Sequence, residues 1–340
     1  MANVASPTVG APGAAGADGR LPVGPIRPGG RTDRLGRPEA TATAILASMQ
    51  VGFIGFGLIA GSAALAIRAN KATAGWTLTA WSPSGDGPRR AASEGIVDLA
   101  GDAPEDALVG ADLVVLAAPA TACLALIDRL AGPWRTRLSE GAVITDVAST
   151  KARLVERADA TGLRYVGGHP MAGRETTGYG AAVADLFVDR PWVVVPGALA
   201  SPSDVDRVTD LARACRARVV VMDAAAHDRA VAGISHLPLV VAVALVEAVV
   251  GATGAGQGGW PEAAGLAATG WRDMTRLAHG DPVMGAAIVA TNAPALAARV
   301  RDLRAVLDAW LVELERPDGP DEVAIVERLE GARAMLDAAR

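Results

Sequence analysis

The sequence predicts an α/β fold: a parallel, doubly wound sheet followed by an all-helical domain. Three observations predict it. A short apolar strand at 51–55 ends in a glycine-rich turn that opens a helix. Strand-like and helix-like segments then alternate up to about residue 222, the pattern of a sheet wound with crossover helices. Beyond Asp223 strand signals vanish and Ala-, Leu- and Val-rich helical stretches run to the end. A chain of 340 residues suits two domains. The boundaries fall at 1–48, 49–222 and 223–340.

Residues 1–48 are rich in Gly, Pro, Ala and Arg and lack periodicity. They predict a disordered extension, because so little apolar surface cannot offset the ordering entropy. The strands follow at 51–55, 77–81, 112–117 and 141–145, with others at 164–166, 192–196 and 218–221. The second of these clusters ends in Trp81, and the buried run DLVVLA begins at Asp112. In the helical part, a break at 251–259 separates two blocks and a late turn falls at 317–320. The apolar run 230–250 contains Ser235, His236, Pro238 and Glu247. Polar groups at bilayer depth are costly, so a buried core helix is expected there rather than a membrane span.

Composition narrows the function. Hydrophobic residues make up 51% of the chain, enough for a large core, and the net charge of −5 argues against a nucleic-acid binder. Cys123 and Cys215 form neither a metal-ligand spacing nor a disulfide framework. No metal is expected, and a reducing cytoplasm fits. No charged region followed by an apolar one opens the chain as a secretory signal would. The only lysines are Lys71 and Lys151, so the placement of Lys151 inside a motif is informative.

Gly55-Phe56-Gly57-Leu58-Ile59-Ala60-Gly61-Ser62 carries the pattern of a Rossmann-type dinucleotide loop in the strand-to-helix setting that loop requires. Gly55 allows the tight turn, Gly57 admits the pyrophosphate, and Ala60 lets helix pack on strand. The helix N-terminus then offers unpaired amides and a positive dipole end. Gly55, Gly57, Ile59 and Ala60 are therefore the expected nucleotide contacts. An Asp or Glu at the end of the second strand would select NAD. This chain has Trp81-Ser82-Pro83-Ser84 with Arg89 and Arg90 beyond, so Ser82 and Arg89 favour NADP over NAD, with Asp86 nearby as the opposing feature.

Two more motifs carry chemistry. Asp146-Val147-Ala148-Ser149-Thr150-Lys151 follows a strand, at the carboxyl edge where open sheets bind ligands. Gly167-Gly168-His169-Pro170-Met171-Ala172-Gly173-Arg174-Glu175 presents His169 on a glycine-rich loop.

Taken with HDRAVAGISHLP and GWRDMTRLAHGDPVM, these motifs resemble the prephenate/arogenate dehydrogenase family in content and order, from about residue 51 to 300. The resemblance implies a Rossmann domain joined to a helical domain that dimerises, so a homodimer with a small-molecule substrate is expected. It implies oxidative decarboxylation of prephenate or arogenate with hydride transfer to NAD(P), in tyrosine biosynthesis. It assigns the proton-accepting role to His169, a hydrogen bond near the nicotinamide and the substrate hydroxyl to Ser149, and a substrate carboxylate to Arg276. A guanidinium fork suits that carboxylate. His236 of SHLP shapes the substrate pocket by the same resemblance, and Asp273, three residues before Arg276, could orient it. His227 and Asp228 are expected to serve helix initiation and packing. Gly285 stands where some members carry an aromatic residue near the substrate. After Asn292 only helical sequence is expected, without the regulatory module of some relatives.

Two alternatives remain at this stage. A β-hydroxyacid dehydrogenase would need a lysine base on a C-terminal helix, and no lysine follows Lys151. A non-catalytic NAD(P)-binding sensor would have no need of His169, Ser149 and Arg276 together.

Overall fold

The structure is a computed structural model that describes residues 46–174, 176–250 and 260–339. The expected extension 1–48 lies outside the described residues up to residue 45, as does the expected break at 251–259. Residues 46–48 are described, and they are tied to the fold. The Leu46 amide donates to the Ala72 carbonyl, and the Trp76 indole donates to the Ala47 carbonyl, each at 2.9 Å.

Strand β1 (Gln50–Ile54) leads into helix α1 (Leu58–Ala69), β2 (Thr77–Trp81), α2 (Asp86–Ser93) and the short β3 (Leu99–Ala100). Next come β4 (Leu113–Leu116), α3 (Ala120–Ala131), β5 (Val143–Asp146) and α4 (Ala152–Ala160). All five strands pair in parallel, in the order β3-β2-β1-β4-β5. The four residues of β4 are all buried, as expected of a strand covered on both faces. Their alternation feeds two cores. Leu113 and Val115 join Phe53, Leu78 and Trp192 on one face, while Val114 and Leu116 join Ile54, Ile127 and Leu154 on the other. The two-residue β3 was not expected from the sequence.

The second half of this domain departs from the parallel expectation. Strands β6 (Val166–Pro170), β7 (Pro191–Pro196) and β8 (Arg218–Val221) form their own sheet, with helix α5 (Pro202–Ala214) between β7 and β8. The β7–β8 pair is parallel, but β6 and β7 run antiparallel. No crossover helix separates those two strands; the chain returns through residues 171–190. Antiparallel neighbours need no crossover. The two sheets meet where the Ile144 amide donates to the Arg164 carbonyl at 2.9 Å, so β6 runs alongside β5.

Beyond β8 the described residues are helical. Asp223 caps α6 (Ala224–Val231) by accepting from the Ala226 amide at 2.8 Å. One π-helical turn (Ala232–His236) follows, then α7 (Leu237–Val249). Pro238 explains the irregular turn: it has no amide to donate, and its ring crowds the preceding carbonyls. Helices α8 (Trp260–Ala264), α9 (Thr269–Thr275), α10 (Pro282–Thr291), α11 (Ala293–Leu314) and α12 (Glu322–Ala338) complete the chain, with a 3-10 turn at Arg276–His279. The expectation of a buried core helix at 230–250 needs correction. Within one chain α7 buries only Ala242, because few helices pack on it. The run Ala224–Val249 is long and apolar enough to cross a membrane by length and composition. Its first half, however, carries three buried polar residues, His227, Asp228 and His236, that belong to the folded domain.

Gly52 lies in the centre of β1, where a Cβ would sit 1.7 Å from the Ala107 carbonyl oxygen. A backbone atom cannot move aside as a flexible side chain can. Gly52→Ala is expected to lower the unfolding free energy by about 1–3 kcal/mol or more, visible as a lower midpoint in chemical denaturation. An unchanged midpoint would show that β1 can shift away from the 3-10 turn at Pro104–Ala107.

Candidate active site

The glycine loop has the geometry that a dinucleotide needs. Gly55 adopts φ +92°, and a Cβ there would lie 2.3 Å from the Ala117 carbonyl oxygen. Above Gly57 the space is open: nothing lies within 4 Å of where a Cβ would stand. Gly57 is also the N-cap of α1, with no side-chain cap and no acid in the first turn. The α1 amides therefore remain available to an anion. Ala60 is buried against the sheet and Ile59 is half-buried. These residues fit a bound dinucleotide. Gly61 contributes something the sequence did not disclose: a Cβ there would meet the Tyr179 ring at 2.7 Å. Tyr179 stacks on Phe56 and donates to Glu94 at 2.6 Å, so the segment after the histidine loop is strapped across the glycine turn.

At the end of β2, Ser82 is buried and Arg89 is exposed. The Arg89 guanidinium donates to the Ser84 carbonyl at 2.8 Å and to Asp86 at 2.9 Å. Asp86 thus engages the cation expected to mark the cofactor's ribose end.

The carboxyl edges of β5 and β6 carry a buried polar cluster. Asp146 ends β5 and is fully buried. It accepts from the Ala148 amide at 2.7 Å, from the Lys151 ammonium and from the Tyr165 hydroxyl. Burial, reinforced by Asp146, pushes the Tyr165 phenol well above its ordinary pKa, so it stays a donor. Lys151 is itself fully buried. Gly167 leaves room for it: a Cβ there would meet the Lys151 stem at 2.9 Å.

His169 lies on β6, 7% exposed. Its Nδ1 is 2.8 Å from Nε2 of His227, and Nδ1 of His227 is 2.8 Å from Asp228 Oδ1. Asp228 also accepts from the Lys151 amide at 2.8 Å and the Ala152 amide at 2.9 Å, which caps α4 from the helical domain. The expectation that His227 and Asp228 serve only helix initiation and packing is therefore too narrow. Asp228 does serve a helix, α4 rather than its own, and His227 reaches His169. Burial above all, with His227, Lys151 and His236 adding repulsion, holds His169 well below the ordinary histidine pKa, so its imidazole is neutral near pH 7. Burial pushes the Asp228 carboxyl up, but the His227 hydrogen bond and the two amides outweigh it and keep the group ionised.

His236 sits at the end of the π turn, 1% exposed. The Asn292 amide group donates to the Asp228 carbonyl at 2.8 Å and approaches His236 Nδ1 at 3.1 Å. With Nδ1 accepting, the proton of a neutral His236 belongs on Nε2, which has no hydrogen-bond partner. Burial is the main reason its pKa falls to about 4. Thr150 bonds Thr291 at 2.8 Å, so the loop that carries Ser149 is latched to α10. Ser149 itself is half-buried.

The structure brings His169, His236 and the Ser149 loop into one region through His227, Asp228 and Asn292. Arg276 and Asp273 are exposed on the segment packed against α7. Helix α9 ends at Thr275, and the chain continues from Arg276 as the 3-10 turn. Gly285 lines an apolar groove of about 550 Å³ between α7 and α10, together with Leu239, Val243 and Val289.

Comparison with known proteins is decisive at this point. The model of the prephenate dehydrogenase nucleotide-binding domain matches residues 63–221, and that of the prephenate dehydrogenase dimerization domain matches residues 223–328. The chain is 30% identical over 268 residues to a cyclohexadienyl dehydrogenase of Zymomonas mobilis, covering 78% of this chain and 86% of the relative. The chain belongs to the prephenate/arogenate dehydrogenase family. It is also 31% identical over 265 residues to a prephenate dehydrogenase of Bacillus subtilis, covering 77% of this chain and 67% of that one. The arogenate dehydrogenase of Synechocystis superposes with a TM-score of 0.69 at 29% identity, over 85% of this chain and 100% of that chain. The chain is thus a dehydrogenase with an NAD(P)-binding domain, and the β-hydroxyacid and sensor alternatives lose their footing.

The Asp146–Lys151 pair makes a testable demand on stability. Removing one member strands a buried charge. Lys151→Met should lower the unfolding free energy by about 3–5 kcal/mol, measured by denaturant midpoint. A variant as stable as the parent would show that Asp146 takes up a proton at no cost.

Proposed function

We propose that the chain oxidatively decarboxylates prephenate to 4-hydroxyphenylpyruvate, or arogenate to tyrosine, with NAD(P) as oxidant, in tyrosine biosynthesis. The observation that carries this reading is His169: a buried, neutral imidazole held in a polar cluster between a dinucleotide loop and the family's helical domain. An imidazole kept neutral at working pH can accept a proton.

The residues divide the work. The α1 amides behind Gly55, Gly57, Ile59 and Ala60 hold the pyrophosphate. When bound, the nicotinamide supplies the acceptor for the ring hydride. His169 takes the proton of the ring hydroxyl, and Ser149 hydrogen-bonds near that hydroxyl. Loss of the ring carboxylate as carbon dioxide leaves its bonding electrons in the ring, which becomes an aromatic phenolate, and the phenolate oxygen takes back the proton held by His169. Nε2–H of His236, a buried donor without a protein partner, suits a substrate oxygen. Arg276 offers a guanidinium for a substrate carboxylate, and Asp273 contributes negative charge on the same segment. NADP is the preferred cofactor because β2 ends in Trp81 and Ser82 rather than a carboxylate, although Asp86 on Arg89 weakens that preference. The two cysteines are buried free thiols, which suits a reducing cytoplasm.

A homodimer follows from the exposed apolar side chains of the helical domain. Val312 on α11 is 72% exposed, and Val323 and Met335 on α12 are 68% and 75% exposed. A lone chain rarely leaves such a surface in water. Light scattering is expected to give twice the chain mass; a stable monomer would remove this reading.

The activity is tested by following reduced-nicotinamide absorbance with prephenate or arogenate crossed with NAD or NADP. Turnover in at least one mixture is expected, and His169→Asn should cut kcat by about 100- to 10,000-fold with nucleotide affinity retained. Silence in all four mixtures from protein that binds nucleotide would refute the proposal.

A further inference from the structure

Two buried groups beyond the proposed catalytic set stand in line with His169. His169 Nδ1 meets His227 Nε2, and His227 Nδ1 meets Asp228, each contact at 2.8 Å, with exposures of 7%, 1% and 4% along the chain. The hydrogen-bond directions follow from the Asp228 end. An ionised carboxylate only accepts, so His227 must donate from Nδ1. If His227 carries a single proton, that proton sits on Nδ1 facing Asp228, and Nε2 is the acceptor. His169 must donate to it from Nδ1, which leaves the lone pair of His169 on Nε2.

We infer that His227 and Asp228 are positioning residues which lock His169 in the Nδ1–H tautomer and fix Nε2 as the atom that accepts the substrate proton. This rests on His169 being the base of the proposed reaction. When Nε2 takes the proton, the imidazolium keeps its Nδ1–H bond to His227, and the Asp228 carboxylate lies at the far end to balance the charge. No proton needs to travel along the chain. The other titratable groups around His169 are Lys151, which is paired with Asp146, and His236, whose Nδ1 is engaged by Asn292. Among the described residues, Asp228 is therefore the carboxylate connected to the base through side-chain hydrogen bonds. It is itself held rigidly by the Lys151 and Ala152 amides.

Ring-nitrogen NMR of the wild-type protein labelled at histidine tests the tautomer without any assay. His169 is expected to show a protonated Nδ1 and an unprotonated Nε2 at neutral pH, and the reverse pattern would overturn the proposal. Kinetics gives the second test. His227→Leu removes the acceptor and should lower kcat about 10- to 100-fold, the usual scale for groups that orient a functional histidine, while KM changes little. His227→Gln, whose side-chain oxygen can still accept from His169, should recover part of the loss. In a His169→Asn background His227→Leu should add nothing further. A parental kcat in His227→Leu would refute the relay while leaving the His169 assignment intact. Parental activity in His169→Asn would instead refute the base on which the relay depends. Nucleotide binding by each variant confirms that it is folded.

Discussion

The carboxylate of Asp228 is the contact on which the rest of the site depends. It comes from α6 of the helical domain, yet it caps α4 of the nucleotide-binding domain, 76 residues earlier in the chain. Lys151, the N-cap residue of α4, supplies no side-chain cap of its own. The helix start would otherwise leave buried amides without acceptors, a cost comparable to a lost hydrogen bond for each. One anion satisfies two of them and also accepts a hydrogen bond from His227 Nδ1. The two domains therefore share a hydrogen-bond network rather than merely touching. The Thr150–Thr291 bond and the Asn292 bonds extend it around the same corner.

This placement explains why the site tolerates so many buried polar groups. A fully buried Lys151–Asp146 pair beside a neutral histidine is costly unless every partner is satisfied. Here the Asp146 oxygens take the lysine, the tyrosine and a backbone amide. Glycine makes that density feasible. At Gly168 a Cβ would come within 2.5 Å of the Asp146 carbonyl and 3.2 Å of the Trp192 indole nitrogen. The glycines before His169 do more than hold a loop open: they let β6 lie directly against the end of β5.

Much of this architecture was legible in the sequence because it rests on local rules. Glycine spacing after an apolar strand reports the backbone of a phosphate loop, and fully apolar runs such as that at Leu113–Leu116 report strands covered on both faces. The loss of strand signals after Asp223 reports the helical domain. His169 was legible from its motif. The antiparallel β6–β7 pair was not, since the absence of a crossover helix becomes decisive only once the strands are placed. His227 was underrated for a similar reason. Its partner lies 58 residues away on another domain, and nothing in a local window distinguishes it from a histidine that packs a helix. The adjoining Asp228 was the available signal, because a carboxylate next to a histidine at a helix start can fix that ring's tautomer.

The helical domain shows how far one chain can account for itself. Helix α7 has nearly uniform apolarity, but within the chain it buries little beyond Ala242, and α12 has no buried residue. Sequence apolarity therefore measured a demand for burial without saying which surface meets it. On α6 and the π turn that demand is met internally, because Asn292 at the junction of α10 and α11 supplies His236 and the Asp228 carbonyl with donors. Farther along α7 and on α11 and α12 the apolar side chains face outward, where a second copy would cover them. The polar corner around Asp228 is thus held within one chain by its bonds to Lys151, Ala152, His227 and Asn292, while apolar side chains farther along α7 and on α11 and α12 stay exposed.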